Sequence, residues 1–220
     1  MRGLGAWLAA VAVAAIGGAA WAEAGAAGAC DHDRGALLAL DVRTFDKTRG
    51  AGWRLVGNRP GCEAAAADLI RDYRLANAGK LVEGPVDDLR GLMRHESQLR
   101  AAAGEVEAAI RLREHARYGG DRPDQLYDEA TIAFLKKDRA KLQAVRAELA
   151  AAPKPAWFEE AAARAMAQHG LAVTWPPNLD VVDGLIACFD RPYAEAYSQS
   201  CREPAAAGEA GSRPPAPGSR

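Results

Sequence analysis

The sequence predicts an all-α protein built of stacked antiparallel helical hairpins, with about eight helices. Three observations support this. Apolar residues from Asp33 to Tyr197 recur at intervals of three and four, as on a helix with one buried face, and no stretch keeps the alternation of a strand. Glycine, proline, asparagine and aspartate interrupt these runs at ordinary helix lengths. Two turn positions, Gly104 and Asp138, lie 34 residues apart, and each joins a pair of amphipathic runs. The middle of the chain therefore reads as one helical hairpin followed by an imperfect copy.

Residues 1–22 read as an export signal. Arg2 supplies the positive start, Leu8 to Ile16 the uncharged apolar centre, and Ala20-Trp21-Ala22 the small-x-small cleavage pattern before Glu23. The apolar centre is short of the roughly 20 residues a membrane span needs, so membrane contact is expected only if this segment stays uncleaved. Its loss removes Arg2 alone and takes the net charge from −1 to −2. A near-neutral chain lacks the concentrated basic surface of a nucleic-acid binder, so no nucleic-acid partner is expected.

Residues 23–203 read as a single helical domain. Leu37, Leu38, Leu40, Val42 and Phe45 suit a first helix from Asp33 to about Lys47. A glycine-punctuated stretch from Thr48 to Pro60 offers Trp53, Leu55 and Val56 as a core plug. Ala66, Leu69, Ile70 and Tyr73 mark a second helix from Glu63 to Asn77, which Asn77-Ala78-Gly79 ends. Pro85 suits the first position of the next helix, with Asp87 and Asp88 in its first turn, where carboxylates meet the positive end of the helix dipole. The two hairpins follow, separated by the break Gly119-Gly120-Asp121-Arg122-Pro123. Pro153 and Pro155 end the second. A helix from Ala156 to Gln168 is expected to bury Trp157, Phe158, Ala161, Ala165 and Met166. Trp175-Pro176-Pro177 reads as an extended connector, because each proline turns its predecessor away from helix. Asn178 is the expected N-cap of a helix carrying Val181, Val182, Leu185 and Ile186. A short helix through Tyr193 and Tyr197 follows, and the proline- and glycine-rich residues 204–220 read as a disordered tail.

All four cysteines lie after the cleavage point, and an even count in an exported chain favours disulfides. Three pairings are possible. Cys30–Cys62 and Cys188–Cys201 are expected because each pair is near in sequence and brackets one local unit.

Aligned on Gly104 and Asp138, the hairpins resemble the tetratricopeptide (TPR) family in degenerate form. Ser97, Val106, Ala109 and Ala116 occupy its positions in the first copy. Tyr127, Phe134, Ala150 and Pro155 do so in the second, and Gly184, Tyr193 and Ala196 in a third, displaced match. Arg100 and Arg113 stand where the family prefers large side chains, Asp121 where it closes a unit with proline, and Gln143 where it keeps a small residue. The resemblance implies a TPR-like solenoid whose ligands lie against the first helices of successive units. Carried over by position, it implies a groove formed by Arg94, Gln98, Asp128 and Lys136, extended by Leu185 and Phe189. The chain as a whole looks like bacterial exported proteins, which implies a periplasmic or secreted location and supplies no activity.

The expected function is a non-catalytic interaction module that binds a peptide, a protein or an envelope component, with no cofactor, no metal and no catalytic residue. Gly-x-Ser-x-Gly, phosphate-cradling glycine loops and His-Glu-x-x-His do not occur. The alternatives are a structural subunit of an envelope assembly and a metal-dependent hydrolase. The hydrolase would use His95 and His115, which flank the Gly104 turn beside Glu96 and Glu114. His169, in a last helical turn, and Asp31-His32-Asp33, at a helix start, have structural roles that need no chemistry.

Overall fold

The structure, a computed structural model, describes residues 28–170 and 172–202. The expected export signal (1–22) and the expected disordered tail (204–220) lie outside these described residues. Within them the fold is all-helical, with thirteen helical segments instead of about eight. The excess comes from short pieces. The expected first helix is α1 (Arg34–Leu38) followed by a π-helical turn, Arg43–Lys47, and the glycine-punctuated stretch winds into α2 (Arg54–Gly57). Helix α3 runs over Glu63–Ala76. Asn77 then begins a second short helix, α4 (Ala78–Glu83), where a stop was expected, and Asn77 Nδ2 donates back to Leu38 O at 3.2 Å.

The two hairpins are α5 (Val86–Ala102) with α6 (Val106–Ala116), and α7 (Arg122–Leu135) with α8 (Arg139–Ala150). Helix α6 also packs on α7, so the pairs lie side by side. Both tight turns have the same hydrogen bonds. The Gly104 N–H donates to Ala101 O and that of Glu105 to Arg100 O; the Lys137 N–H donates to Phe134 O and that of Asp138 to Ala133 O. The left-handed residues are Gly104, at φ +82°, and Lys137, at φ +57°. Equivalent turn positions are therefore Gly104 and Lys137, one residue off the Gly104/Asp138 alignment. Lysine is a poor residue for this conformation, but its ammonium donates to Phe189 O at 3.0 Å and lies 4.4 Å from the Phe134 ring.

Two apolar clusters result. Phe45, Val56, Leu69, Ile70 and Leu92 fill the first, where the Phe45 and Tyr73 rings stack at 3.7 Å. Ile110, Leu126, Phe134, Leu142, Leu149 and Leu185 fill the second. Trp53 and Val56 plug the first cluster as expected, while Leu55 is exposed. The chain then passes through α9 (Phe158–His169), α10 (Leu179–Ala187), α11 (Tyr193–Ala196) and α12 (Gln199–Arg202). Gly184 lies where α10 meets the α11–α12 end: an added Cβ would come within 3.2 Å of Ala196 O. Asn178 begins α10 in the left-handed conformation, and its side chain makes no cap bond.

The cysteines pair as Cys30–Cys62 and Cys188–Cys201, bonds that belong to an oxidising compartment. Among the described residues, no helix is long and apolar enough to cross a membrane.

Candidate functional site

Two of the four residues expected to line one groove, Arg94 and Asp128, are drawn into one ion set. Asp128 is completely buried, and its carboxylate is shared by two arginines. Arg94 donates to it from Nε at 3.0 Å and Nη2 at 2.8 Å, and Arg113 from Nη1 at 2.7 Å. Arg94 also donates to Asp124 at 2.8 Å. Burial pushes the Asp124 carboxyl above its ordinary value, with Arg94 pulling against it. This set of two cations and two anions ties α5, α6 and α7 together. Asp128 is thus removed from the groove reading, and Arg94 is committed to the same set. The Arg113 stem fills a core position beside the Tyr127 ring while Asp128 neutralises its charge. Lys136 is exposed and paired with Glu114 at 3.1 Å. Gln98 is half-buried on α5.

The two histidines proposed for a metal face different surroundings. His95 pairs with Asp46 and packs on Trp53, while His115 lines a surface hollow with Arg71, Glu96 and Arg100. Glu96 is already held by Arg74 and Arg100. Among the described residues, no group of three His, Cys, Asp or Glu side chains could hold a metal ion. The side chain of His169 lies outside the described residues.

The Asp46–His95 pair is built with care. Asp46 is 2 % exposed at the π-helical turn, and its Oδ1 accepts from Trp53 Nε1 at 3.0 Å and from His95 Nδ1 at 2.6 Å. Because the carboxylate only accepts, His95 Nδ1 is the donor of this hydrogen bond. Burial works to raise the Asp46 carboxyl, but the His95 hydrogen bond and charge, the indole donor and Arg54 outweigh it and hold it below its ordinary value. Gly52, at φ +57°, makes the approach possible: an added Cβ would lie 1.9 Å from Phe45 O. The result is an oriented, half-exposed imidazole suited to proton transfer or to buttressing the turn.

The feature that sequence reasoning missed lies at the other end. Trp157 and Trp175, with Pro123, Leu126, Pro153 and Pro155, line an open hollow of about 430 Å³. Trp157 is 57 % exposed instead of buried. The Trp175 indole is fixed by donating to Ala152 O at 2.9 Å and packs edge-on against Phe158 at 5.1 Å. Helix α9 touches other described helices at isolated points at most. Of its expected buried face only Phe158 is buried, while Met166 is 49 % exposed. The signal was present in the composition: an alanine-rich face has too little apolar area to hold a helix down, which leaves the adjacent tryptophan without a core. Asp121, Arg122 and Glu148 complete the lining, with Arg122 bonded to Glu148 at 2.6 Å.

The chain matches no family model, no curated protein and no solved structure.

Proposed function

We propose that this chain is an exported, non-catalytic recognition module of TPR-like helical hairpins that captures an extended, proline-containing peptide in the Trp157/Trp175 hollow. The observation that carries this reading is the exposed Trp157 beside the fixed Trp175, over a floor of prolines and Leu126. Its volume falls within the roughly 300–1,000 Å³ of ligand-holding clefts. Aromatic walls with an acidic and basic rim suit the polyproline conformation, which arrives already extended and loses little entropy on docking. Large exposed apolar groups gathered on one segment, here Trp157, Met166 and Val173, mark interaction surfaces. The two disulfides favour the periplasm or the exterior as its location.

The test is fluorescence titration of the full chain with matched ten-residue peptides, with and without prolines. The proline-containing set should bind, and Trp157→Ala should weaken binding at least tenfold without unfolding the protein. Equal binding of both peptide sets, or an unchanged affinity in the variant, would remove the reading.

A second reading, proton-transfer chemistry at His95, is favoured by the Asp46 contact alone. It requires that His95→Gln abolish a turnover while stability holds; a loss of stability alone would make the pair structural.

A further inference from the structure

We infer that the hollow is occupied by this chain's own proline-rich segment, residues 213–217, so that the tail competes with outside peptides. The inference rests on reading the hollow as a peptide site. It adds the occupant and, with it, a means of regulation.

Three observations support it. The first is reach. The described chain stops at Arg202, whose guanidinium lies 3.6 Å from Asp180 in the first turn of α10. Asp180 is only five residues beyond Trp175, so the two are separated by at most about 18 Å of chain. Residues 203–212 can extend about 33 Å. The tail therefore leaves from the corner where one wall of the hollow stands, within reach of it.

The second is composition. Pro214, Pro215 and Pro217, spaced by Ala216, offer the ring faces that a pair of indoles accepts. The stretch leading to them is rich in alanine and glycine and contains no large apolar residue to dock elsewhere.

The third is charge. Arg213 and Arg220 flank the prolines. The side of the hollow carries Asp121 and Glu148, and the exposed Glu159 and Glu160 begin α9 next to Trp157. Glu148, Glu159 and Glu160 are paired with Arg122, Lys154 and Arg164, so Arg213 and Arg220 meet a mixed rim whose exposed carboxylates they can share.

The experiment compares the full chain with a Pro214→Ala/Pro215→Ala/Pro217→Ala variant. The probe is a synthetic peptide with the sequence of residues 211–220, followed by the Trp157 indole resonance. A tethered tail acts at an effective concentration of about 1 mM, so against a peptide dissociation constant of about 0.1 mM it should weaken apparent binding about tenfold. The variant should therefore bind the peptide about ten times more tightly than the unaltered chain. The Trp157 resonance of the unaltered chain should already lie near its peptide-bound position at any protein concentration. Equal binding by the two chains would overturn the tail as occupant and leave the hollow as a peptide site. If the variant fails to bind the peptide, the hollow reading falls with it. A resonance position that depends on protein concentration would assign the tail to a second copy and overturn the internal arrangement.

Discussion

Replacing Asp128 with alanine should be among the most damaging single changes in the domain. Its carboxylate neutralises Arg113, which is 1 % exposed, and receives two donors from Arg94, whose side chain is 17 % exposed. Without it, one buried guanidinium faces another across an apolar cavity, and only Asp124, with 34 % of its side chain exposed, remains nearby. Removing one member of a buried pair typically costs about 3–5 kcal/mol. That is a large share of a total stability of about 5–15 kcal/mol. For a domain of this size it corresponds to a fall in Tm of roughly 6–20 °C. Arg113→Met should cost less, about 1–3 kcal/mol, because Asp128 keeps Arg94. The double variant Arg113→Met/Asp128→Leu should return to within about 1 kcal/mol of the starting protein, or exceed it, since apolar side chains of similar volume often replace buried ions without loss. Thermal and urea unfolding followed by far-ultraviolet circular dichroism measures all three. A cost below about 1 kcal/mol for Asp128→Ala, or a double variant as weak as the sum of the singles, would refute the role given to this set.

Three further outcomes follow from other contacts. Cys188→Ser/Cys201→Ser should lose about 3 kcal/mol and Cys30→Ser/Cys62→Ser about 4 kcal/mol, from loops closed over 13 and 32 residues, as read by urea midpoints under oxidising conditions. Because the folded Asp46 carboxyl sits below its ordinary value, its contribution is full above about pH 4 and is lost as pH falls through the folded value; Asp46→Asn should flatten this acid limb of a stability–pH curve. Gly52→Ala should cost more than about 3 kcal/mol and displace the His95 imidazole resonance, since its Cβ cannot coexist with Phe45 O; a neutral effect would contradict the packing of the turn.

The helical class, the two hairpins and both disulfides were legible in the sequence, because periodicity, turn residues and cysteine spacing are local signals. What failed was non-local. Arg94 and Asp128 look like solvated helix charges in one dimension, and only the packing of α5, α6 and α7 turns them inward onto Arg113. The one-residue slip between Gly104 and Lys137 arose because a lysine seldom holds a left-handed cap; its ammonium contacts with Phe189 and Phe134 compensate for the strain. Trp157 read as core because it opens an amphipathic run, yet alanines at Ala161 and Ala165 provide too little surface to bury that run. The Asp46–His95 pair joins residues 49 positions apart through a π-helical turn that has no sequence signature.

The central claim is that recognition takes place between Trp157 and Trp175. Besides Trp7 and Trp21, which lie outside the described residues, the chain has three indoles, Trp53, Trp157 and Trp175, and their N–H resonances report on the two ends of the domain separately. On titrating the Pro214→Ala/Pro215→Ala/Pro217→Ala chain, whose tail does not compete, with a proline-rich peptide to millimolar concentration, the Trp157 and Trp175 signals should move together while Trp53 stays fixed. Movement of Trp53 with the His95 imidazole, or no movement of any indole, would contradict the account.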